Sequence, residues 1–513
     1  MDGQEIELKL GVAPEDLMGS ALRSCFSPQG CVQPRTRRLS SIYFDTPDFA
    51  LAAAGVSLRV RDVETGHVQT VKTAGTAASG LFVRPEWEID LSSPQVDIDH
   101  LRSTGLDIFG DDGLIGRLEP IFSTIIEREI YVLGCSGGEE GPEWEIEVAL
   151  DRGHVAAGGL SEPICEIELE LRKGKADRLF TLARRVLDSV AARPLVASKS
   201  DRGYRLAAGR INQPLKAKAP YLDPGLNTAE AFQAIARSCL DHLLINEQCL
   251  LSTGNGEAIH QMRVALRRLR SAIKVFRPVI DSPQLEEAKA DIRWLLNHLG
   301  PARDAEVFLA EIIDPVLERH PNNPGLNALR AHWQGDRDTK MSQAIDAVRS
   351  RRFAVLVLKL GEWVEVGDWL GPRPRRRLEA PITDFALARM GKSVRKLTES
   401  ARTSLSRLSP EEQHQVRIRC KQVRYAGEFF ASLVPRKHMK VYLAELAELQ
   451  EVLGNLNDIA VAGPKLSGRH MSGNKAKAAG LVAGWHQARR AALLEEAEKA
   501  WKRWRACPLP WDE

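Results

Sequence analysis

A chain of 513 residues is too long for one ordinary hydrophobic core, so two or three domains are expected. No window approaches the roughly 18 uninterrupted apolar residues of a membrane span, which removes membrane-spanning functions from consideration. The net charge of +3 conceals a division: residues 1–210 carry 24 basic against 33 acidic side chains, and residues 211–513 carry 47 against 35. Clustered carboxylates in the first part and an anion-attracting second part imply two tasks on one chain. The eight cysteines (25, 31, 135, 165, 239, 249, 420 and 507) form no C-x-x-C pair and no zinc-type spacing, as expected of reduced thiols. Strand pattern begins directly after Met1, without room for a signal peptide, so a cytoplasmic location is expected.

Along the first 205 residues the strand patterns fall at 5–10, 38–44, 56–63, 67–73, 84–90, 121–132, 143–151 and 164–172. Turn signals at Glu64-Thr65-Gly66, between Gly75 and Gly80 and between Gly134 and Gly141 favour an antiparallel sheet. Helical patterns cover 14–25 and 177–192. In the first strand, Glu5, Glu7 and Lys9 share one face and Ile6, Leu8 and Leu10 the other, because successive strand side chains alternate. The division of charged from apolar returns with Arg59 and Arg61, with Glu86 and Glu88, with Glu143, Glu145 and Glu147, and with Glu166, Glu168 and Glu170. Strands of this kind can close into a barrel with a charged lumen, suited to a polyanion held with divalent metal.

Residues 209–224 hold three prolines without sustained apolar period and read as a linker. Beyond them the period is helical, with breaks expected at Pro278, Pro283, Pro321, Pro324, Pro372–Pro374, Pro410, Pro435 and Gly463–Pro464. A repeat with a constant offset of 154 runs through this part: His260-Gln261-Met262-Arg263-Val264 returns as His414-Gln415-Val416-Arg417-Ile418, and Leu299-Gly300 with Asp304 returns as Leu453-Gly454 with Asp458. Two helical bundles related by pseudo-twofold symmetry are expected, at about 225–380 and 381–505.

In the first copy His260, Arg263, Arg267, Arg270, Lys274 and Arg277 step by 3, 4, 3, 4 and 3, which places them on one helix face. Met262, Leu266, Leu269, Ile273 and Phe276 fall opposite, towards a core. His414, Arg417, Lys421 and Arg424 repeat the stripe. Like charges at this spacing cost about a few tenths of a kcal/mol each, so an acid-free stripe built twice implies an external polyanion. Nucleic acid is one candidate, but neither stripe interleaves aromatics to stack bases or carries Asn or Gln to read base edges, so a base-free polyphosphate fits as well or better. Arginine would clamp its oxygens in bidentate fashion. Histidines titrating near pH ~6.5 would strengthen binding below neutrality.

The motifs of residues 1–208 resemble the CYTH superfamily of triphosphate tunnel enzymes. The hallmark Glu-x-Glu-x-Lys stands as Glu5, Glu7 and Lys9. In family order follow Tyr43-Phe44-Asp45-Thr46, Leu58-Arg59-Val60-Arg61, Lys72, Arg84 with Glu86 and Glu88, Arg128, Glu145 and Glu147, Asp151, Glu166-Ile167-Glu168, and Lys199 before Arg202-Gly203-Tyr204. Residues 225–505 resemble the CHAD domain, through the His-x-x-Arg-x-x-x-Arg/Lys-x-x-Arg blocks. The resemblance implies a multidomain chain: an antiparallel β tunnel followed by an all-α duplicated bundle, the order found in bacterial inorganic triphosphatases. It implies metal-dependent hydrolysis of inorganic triphosphate, with Mg²⁺ or Mn²⁺ as cofactor. Lys9, Arg59, Arg61, Lys72, Arg84, Arg128 and Lys199 would hold phosphoryl oxygens. Glu5, Glu7, Asp151, Glu166 and Glu168 would hold metal. Glu86, Glu88, Glu145, Glu147 and Glu170 would bind a second metal, orient water or pair with arginines. Inorganic polyphosphate, with association to its granules, is the partner implied for the helical part. The same tunnel also serves class IV adenylate cyclases and thiamine triphosphatases, and a non-catalytic polyphosphate-binding protein is the remaining alternative.

Overall fold

The structure, a computed structural model, describes residues 3–26, 34–64, 66–134, 143–210, 212–371, 375–467 and 472–511. Cys31, Thr65, Cys135, the turn from 135 to Gly141 and the break at Pro372–Pro374 lie outside them. The chain forms two compact units: Met1–Pro214 with Arg349–Gly367, and Leu215–Val348 with Asp368–Glu513.

In the first unit, alternating residues build strands β1 (Gly3–Gly11), β2 (Arg35–Asp45), β3 (Val56–Val63), β4 (Gly66–Thr73), β5 (Thr76–Ala78), β6 (Leu81–Leu91), β7 (Glu119–Gly134), β8 (Glu145–Ala157), β9 (Leu160–Lys173) and β10 (Arg193–Pro194). Eight of them close an antiparallel barrel in the order β1-β9-β8-β7-β2-β3-β4-β6, because β6 pairs back onto β1 with Arg84 opposite Glu5. All eight strand patterns of the sequence are present. The short β5 and β10 hold too few residues to show a period. The outward faces of β1, β8 and β9 bury Leu8, Leu10, Val148, Leu150, Ile167 and Leu169 under the helix Asp177–Ser189. The pattern at 14–25 divides into Pro14–Met18 and Ser20–Ser24 at Gly19, whose backbone is extended and whose residue type disfavours helix.

A helix from far along the chain completes this core. Arg351–Val366 buries Ala354 and Leu358 in the same cluster, and Arg351 Nε donates to the Leu187 carbonyl at 2.9 Å. Arg184 pairs with Glu362. The segment therefore packs on the helix Asp177–Ser189, which covers β1, β8 and β9, although its sequence position lies in the helical half. Leu358→Ala is expected to destabilise this unit by about 2–5 kcal/mol, read as an earlier urea transition of the full chain. Alanine at half-exposed Leu160 should shift it by no more than about 0.5 kcal/mol.

The second unit bears out the duplication. Its helices Thr228–Thr253 and Ile382–Ser400 begin 154 residues apart, as do Gly256–Ile280 and Pro410–Phe429. Just before the first pair, Asn227 and Pro381 form a β-bridge. Around it Thr228 N donates to the Ala380 carbonyl at 2.9 Å and Ile382 N to the Leu226 carbonyl at 3.1 Å, a reciprocal exchange between equivalent positions. Phe276 and its equivalent Phe430 pack with tilted rings, their centroids 6.0 Å apart. Pro278 and Pro464 do not break their helices but lie near the ends of Gly256–Ile280 and Arg436–Leu466. A proline there removes one helical N–H, and the Lys274 carbonyl four residues before Pro278 accepts from Arg389 at 3.3 Å instead.

Candidate functional site: a charged tunnel and a duplicated basic pocket

The lumen of the barrel is a cavity of about 530 Å³. Strand alternation turns the charged residues inward, and register fixes who meets whom. Across β1, β4 and β6, Glu5 takes Lys72 at 2.7 Å and Arg84 at 2.8 Å, while Arg84 also reaches Glu7 at 2.5 Å. Lys72 further pairs with Glu86 at 2.9 Å. Burial alone would raise the Glu5 carboxyl, but Lys72 and Arg84 outweigh it and hold the group well below the usual carboxylate range. On β7, β8 and β9, Arg128 clamps Asp151 at 2.7 and 2.6 Å and also binds Glu168. Lys9 joins Glu168 and Glu7.

Lys199 enters this second cluster from the helix Lys199–Ala207, which starts on a Ser198–Asp201 capping box. The helix presses on β7 at Gly203, where a Cβ would fall 2.1 Å from the Phe122 ring. Lys199 lies 2.7 Å from Asp151 and 2.9 Å from Glu168, and also pairs with Glu166. Burial lowers its ammonium pKa, yet these three carboxylates carry it well above the ordinary lysine range.

Asp151, Glu166 and Glu168 are all buried, and each offers an oxygen within 4.8 Å of the others. Glu166 Oε2 is buried without a hydrogen-bond partner. Carboxylate oxygens suit a hard divalent cation, so this set fits a metal. Glu5 and Glu7, which like these three are held by lysine and arginine, are not part of this cluster. Arg61 differs from the other lumen cations that the sequence singles out. Its Nε donates to Ser41 Oγ at 3.2 Å, and no carboxylate among the described residues lies within ion-pair distance of it. Burial, then Arg59 and Arg128, push its pKa down to about 10. Arg59 is only loosely balanced, 3.8 Å from Glu88 and 3.9 Å from Glu86.

Lys9, Arg59, Arg61, Lys72, Arg84, Arg128, Lys199, Glu5, Glu7, Glu86, Glu88, Glu147, Glu168 and Glu170 all line this one cavity. Asp151 and Glu166 stand behind its wall, and Glu145, at the first position of β8, does not line it. Glu170, pairing with Arg172 at 2.7 Å, is raised to about 7 by burial and by Glu5, Glu147 and Glu7. Arg35, Arg37 and Arg172 also line the lumen and escape the sequence reading. In Arg35-Thr36-Arg37-Arg38 the outward Arg38 hides the alternation that marks the other strands.

In the second unit the two stripes meet. A cavity of about 510 Å³ is lined by His260, Arg263, Arg267, Arg417, Lys421 and Arg424, with Arg303 and Lys465 adding charge. Arg267 and Lys421 are equivalent under the repeat. The glycine of the first copy's second block serves this site: a Cβ at Gly300 would stand 2.7 Å from Arg263, which reaches Asp304 at 3.3 Å. Arg270 and Lys274 are exposed on the same helix outside the cavity lining. His414 also lies outside it, with Nδ1 2.6 Å from Asn457 Oδ1. Burial, with Arg303 close by, lowers His260 to about 4, so this ring stays neutral across the range in which the sequence expects it to charge. The group poised to titrate is Lys421, brought down to about 7 by burial and by Arg417 and Arg267.

The CYTH domain model matches residues 3–204 and the CHAD domain model residues 234–467. A Haemophilus influenzae protein named inorganic triphosphatase is 33% identical over 205 residues, 40% of this chain, which spans 55% of that relative's length. An uncharacterized Mycobacterium tuberculosis protein is 25% identical over 472 residues, covering 86% of this chain and 84% of its own. Among solved structures, the CHAD domain of the plant Ricinus communis is 32% identical with a TM-score of 0.51, covering 58% of this chain and 98% of that domain. The closed charged barrel and the duplicated bundle are thus each accounted for, and the chain belongs to the proteins in which a CYTH domain is followed by a CHAD domain.

Proposed function

We propose that the tunnel hydrolyses inorganic triphosphate to pyrophosphate and phosphate with Mg²⁺ or Mn²⁺, and that the basic pocket of the helical unit binds inorganic polyphosphate. The observation that carries the first part is the lumen itself: under-neutralised Arg61 and Arg59 line one cavity with Glu168, and Glu168 belongs to a buried carboxylate set that fits a metal. Triphosphate repels an incoming water by its own charge. Arg59 and Arg61, with Lys72 and Arg84, would neutralise its oxygens and hold the chain so that water adds to the terminal phosphorus as the bridging P–O bond breaks. Asp151, Glu166 and Glu168 would hold a metal that polarises phosphoryl oxygens. Lys9, Arg128 and Lys199 fix those carboxylates until then. Tyr43 is the one aromatic among the described lining residues and is buried, which supports a substrate without a base or thiazole ring.

Phosphate release by the full chain should be at least tenfold faster from triphosphate than from ATP or thiamine triphosphate at equal low concentration. An equal or greater rate from either organic triphosphate would overturn the substrate assignment.

For the helical pocket, the convergence of both stripes on one cavity supports a single polyanion site. A bound polyanion restores the Lys421 ammonium, so binding takes up a proton above pH 7 and none below it. Affinity for polyphosphate is expected to be flat at acid pH and to weaken by up to roughly tenfold per unit as pH rises past about 7. Constant affinity from pH 6 to 9 would remove Lys421 from the site.

A further inference from the structure

The tunnel does not end where a triphosphate would. β2 runs beyond the end of β3: Ser40 pairs with Asp62 and Ser41 with Arg61, while Arg35–Arg38 pair only with β7. Its lumen face continues outward from Ser41 through Leu39 to Arg37 and Arg35, both lining the cavity and both exposed. Ser41, the partner of Arg61, and Arg35 are six positions apart on the strand, about 20 Å at a strand's rise. That track is longer than a triphosphate.

Charge along the track is one-sided. Arg37 stands directly opposite Arg128 across β2 and β7, a like-charge pairing that costs stability in a sheet. Arg128 is neutralised by Asp151 and Glu168. Arg37 and Arg35 meet no carboxylate within ion-pair distance among the described residues, and neither does Arg61. Three uncompensated guanidiniums thus line one wall from the interior to the rim. The acids of the opposite wall are already committed, Glu86 to Lys72 and Glu147 and Glu170 to Arg172. Val63, Val68, Ile130 and Val132 complete the mouth and offer no ring to stack on.

We propose that Arg35 and Arg37 form an outer anion subsite that takes the fourth and later phosphates of a linear polyphosphate, so that the tunnel also accepts and trims the end of chains longer than triphosphate. The step is the one already described: water adds to the terminal phosphorus, the bridging P–O bond breaks, and a chain shorter by one phosphate leaves with the charge of the bridging oxygen. The inference rests on the triphosphatase reading and extends its substrate class.

The test compares linear tetraphosphate with triphosphate in the full chain carrying Arg267→Glu and Lys421→Glu, which silences the helical pocket. Rates with Mg²⁺ are measured with and without Arg35→Ala plus Arg37→Ala, a pair of exposed positions whose truncation leaves no buried charge. The expected result is a loss of at least tenfold in kcat/KM for tetraphosphate, mainly through KM, with triphosphate changed by less than threefold. An equal loss on both substrates would mean general electrostatic steering and would overturn the subsite. No loss on either would do the same. Should the parent protein turn over neither substrate, the hydrolase reading fails. Calorimetric binding of tetraphosphate against triphosphate to the same two proteins then decides the subsite: selective loss of tetraphosphate affinity supports it, and equal affinities refute it.

Discussion

Arg61→Ala is expected to lower kcat/KM for triphosphate by about 10²–10³, or about 2.7–4 kcal/mol, the usual effect of removing one preorganised donor from a site where charge is stabilised. Stability should stay close to that of the parent. Arg61 has no carboxylate partner to abandon, and relief of its repulsion with Arg59 and Arg128 offsets the lost packing. Arg84→Ala makes the contrast. That side chain spans Glu5 and Glu7, both largely buried, and its loss leaves each with a single lysine, Lys72 or Lys9, so part of the about 3–5 kcal/mol cost of breaking a buried pair is expected. Activity should therefore fall in both variants and the urea midpoint only in the second. Equal destabilisation by the two substitutions would mean that Arg61 is structural.

Arg267→Glu with Lys421→Glu is expected to weaken binding of long polyphosphate at least a hundredfold and to flatten its salt dependence, while triphosphate turnover stays within twofold. The two positions are equivalent under the 154-residue repeat and line the same cavity. Reversing both replaces two phosphate contacts by two repulsions, and each lost contact reduces the counterions released. The carboxylates would also face Arg263 and Arg417 and fill the site from within. Undiminished affinity in the double variant would place the polyanion elsewhere.

Much of this architecture is legible in the sequence because strand and helix periods mark their faces directly. Charged and apolar residues alternate cleanly in β1, β3 and β9, and the 154-residue offset announces the pseudo-twofold before any coordinate does. Four features were not legible, for identifiable reasons. The helix Arg351–Val366 is apolar on one face like its neighbours, and nothing local says that its face meets the barrel. Arg35 and Arg37 are masked by Arg38, so β2 looks shorter than it is. The gathering of Asp151, Glu166 and Glu168 into one cluster, apart from Glu5 and Glu7, follows from register and barrel closure, which bring Arg84 to Glu5 and Asp151 to Glu166. Spacing along one strand cannot carry that information. The stripes were legible as faces but not in extent: Arg270 and Lys274 obey the period and still miss the cavity, because only part of the helix lies beside its counterpart.

The central claim is that the tunnel is a metal-dependent triphosphatase whose metal sits on the buried carboxylates. It is tested most directly by phosphate release from triphosphate as Mg²⁺ or Mn²⁺ is titrated into the full chain and into Glu166→Gln. The substitution keeps the shape of the side chain, and Lys199 retains Asp151 and Glu168, so the fold should survive. The account predicts release that rises from a metal-free baseline and saturates in the parent, and that falls at least a hundredfold in Glu166→Gln with an unchanged urea midpoint. Full turnover without divalent metal, or an undiminished metal-dependent rate in Glu166→Gln, would contradict it.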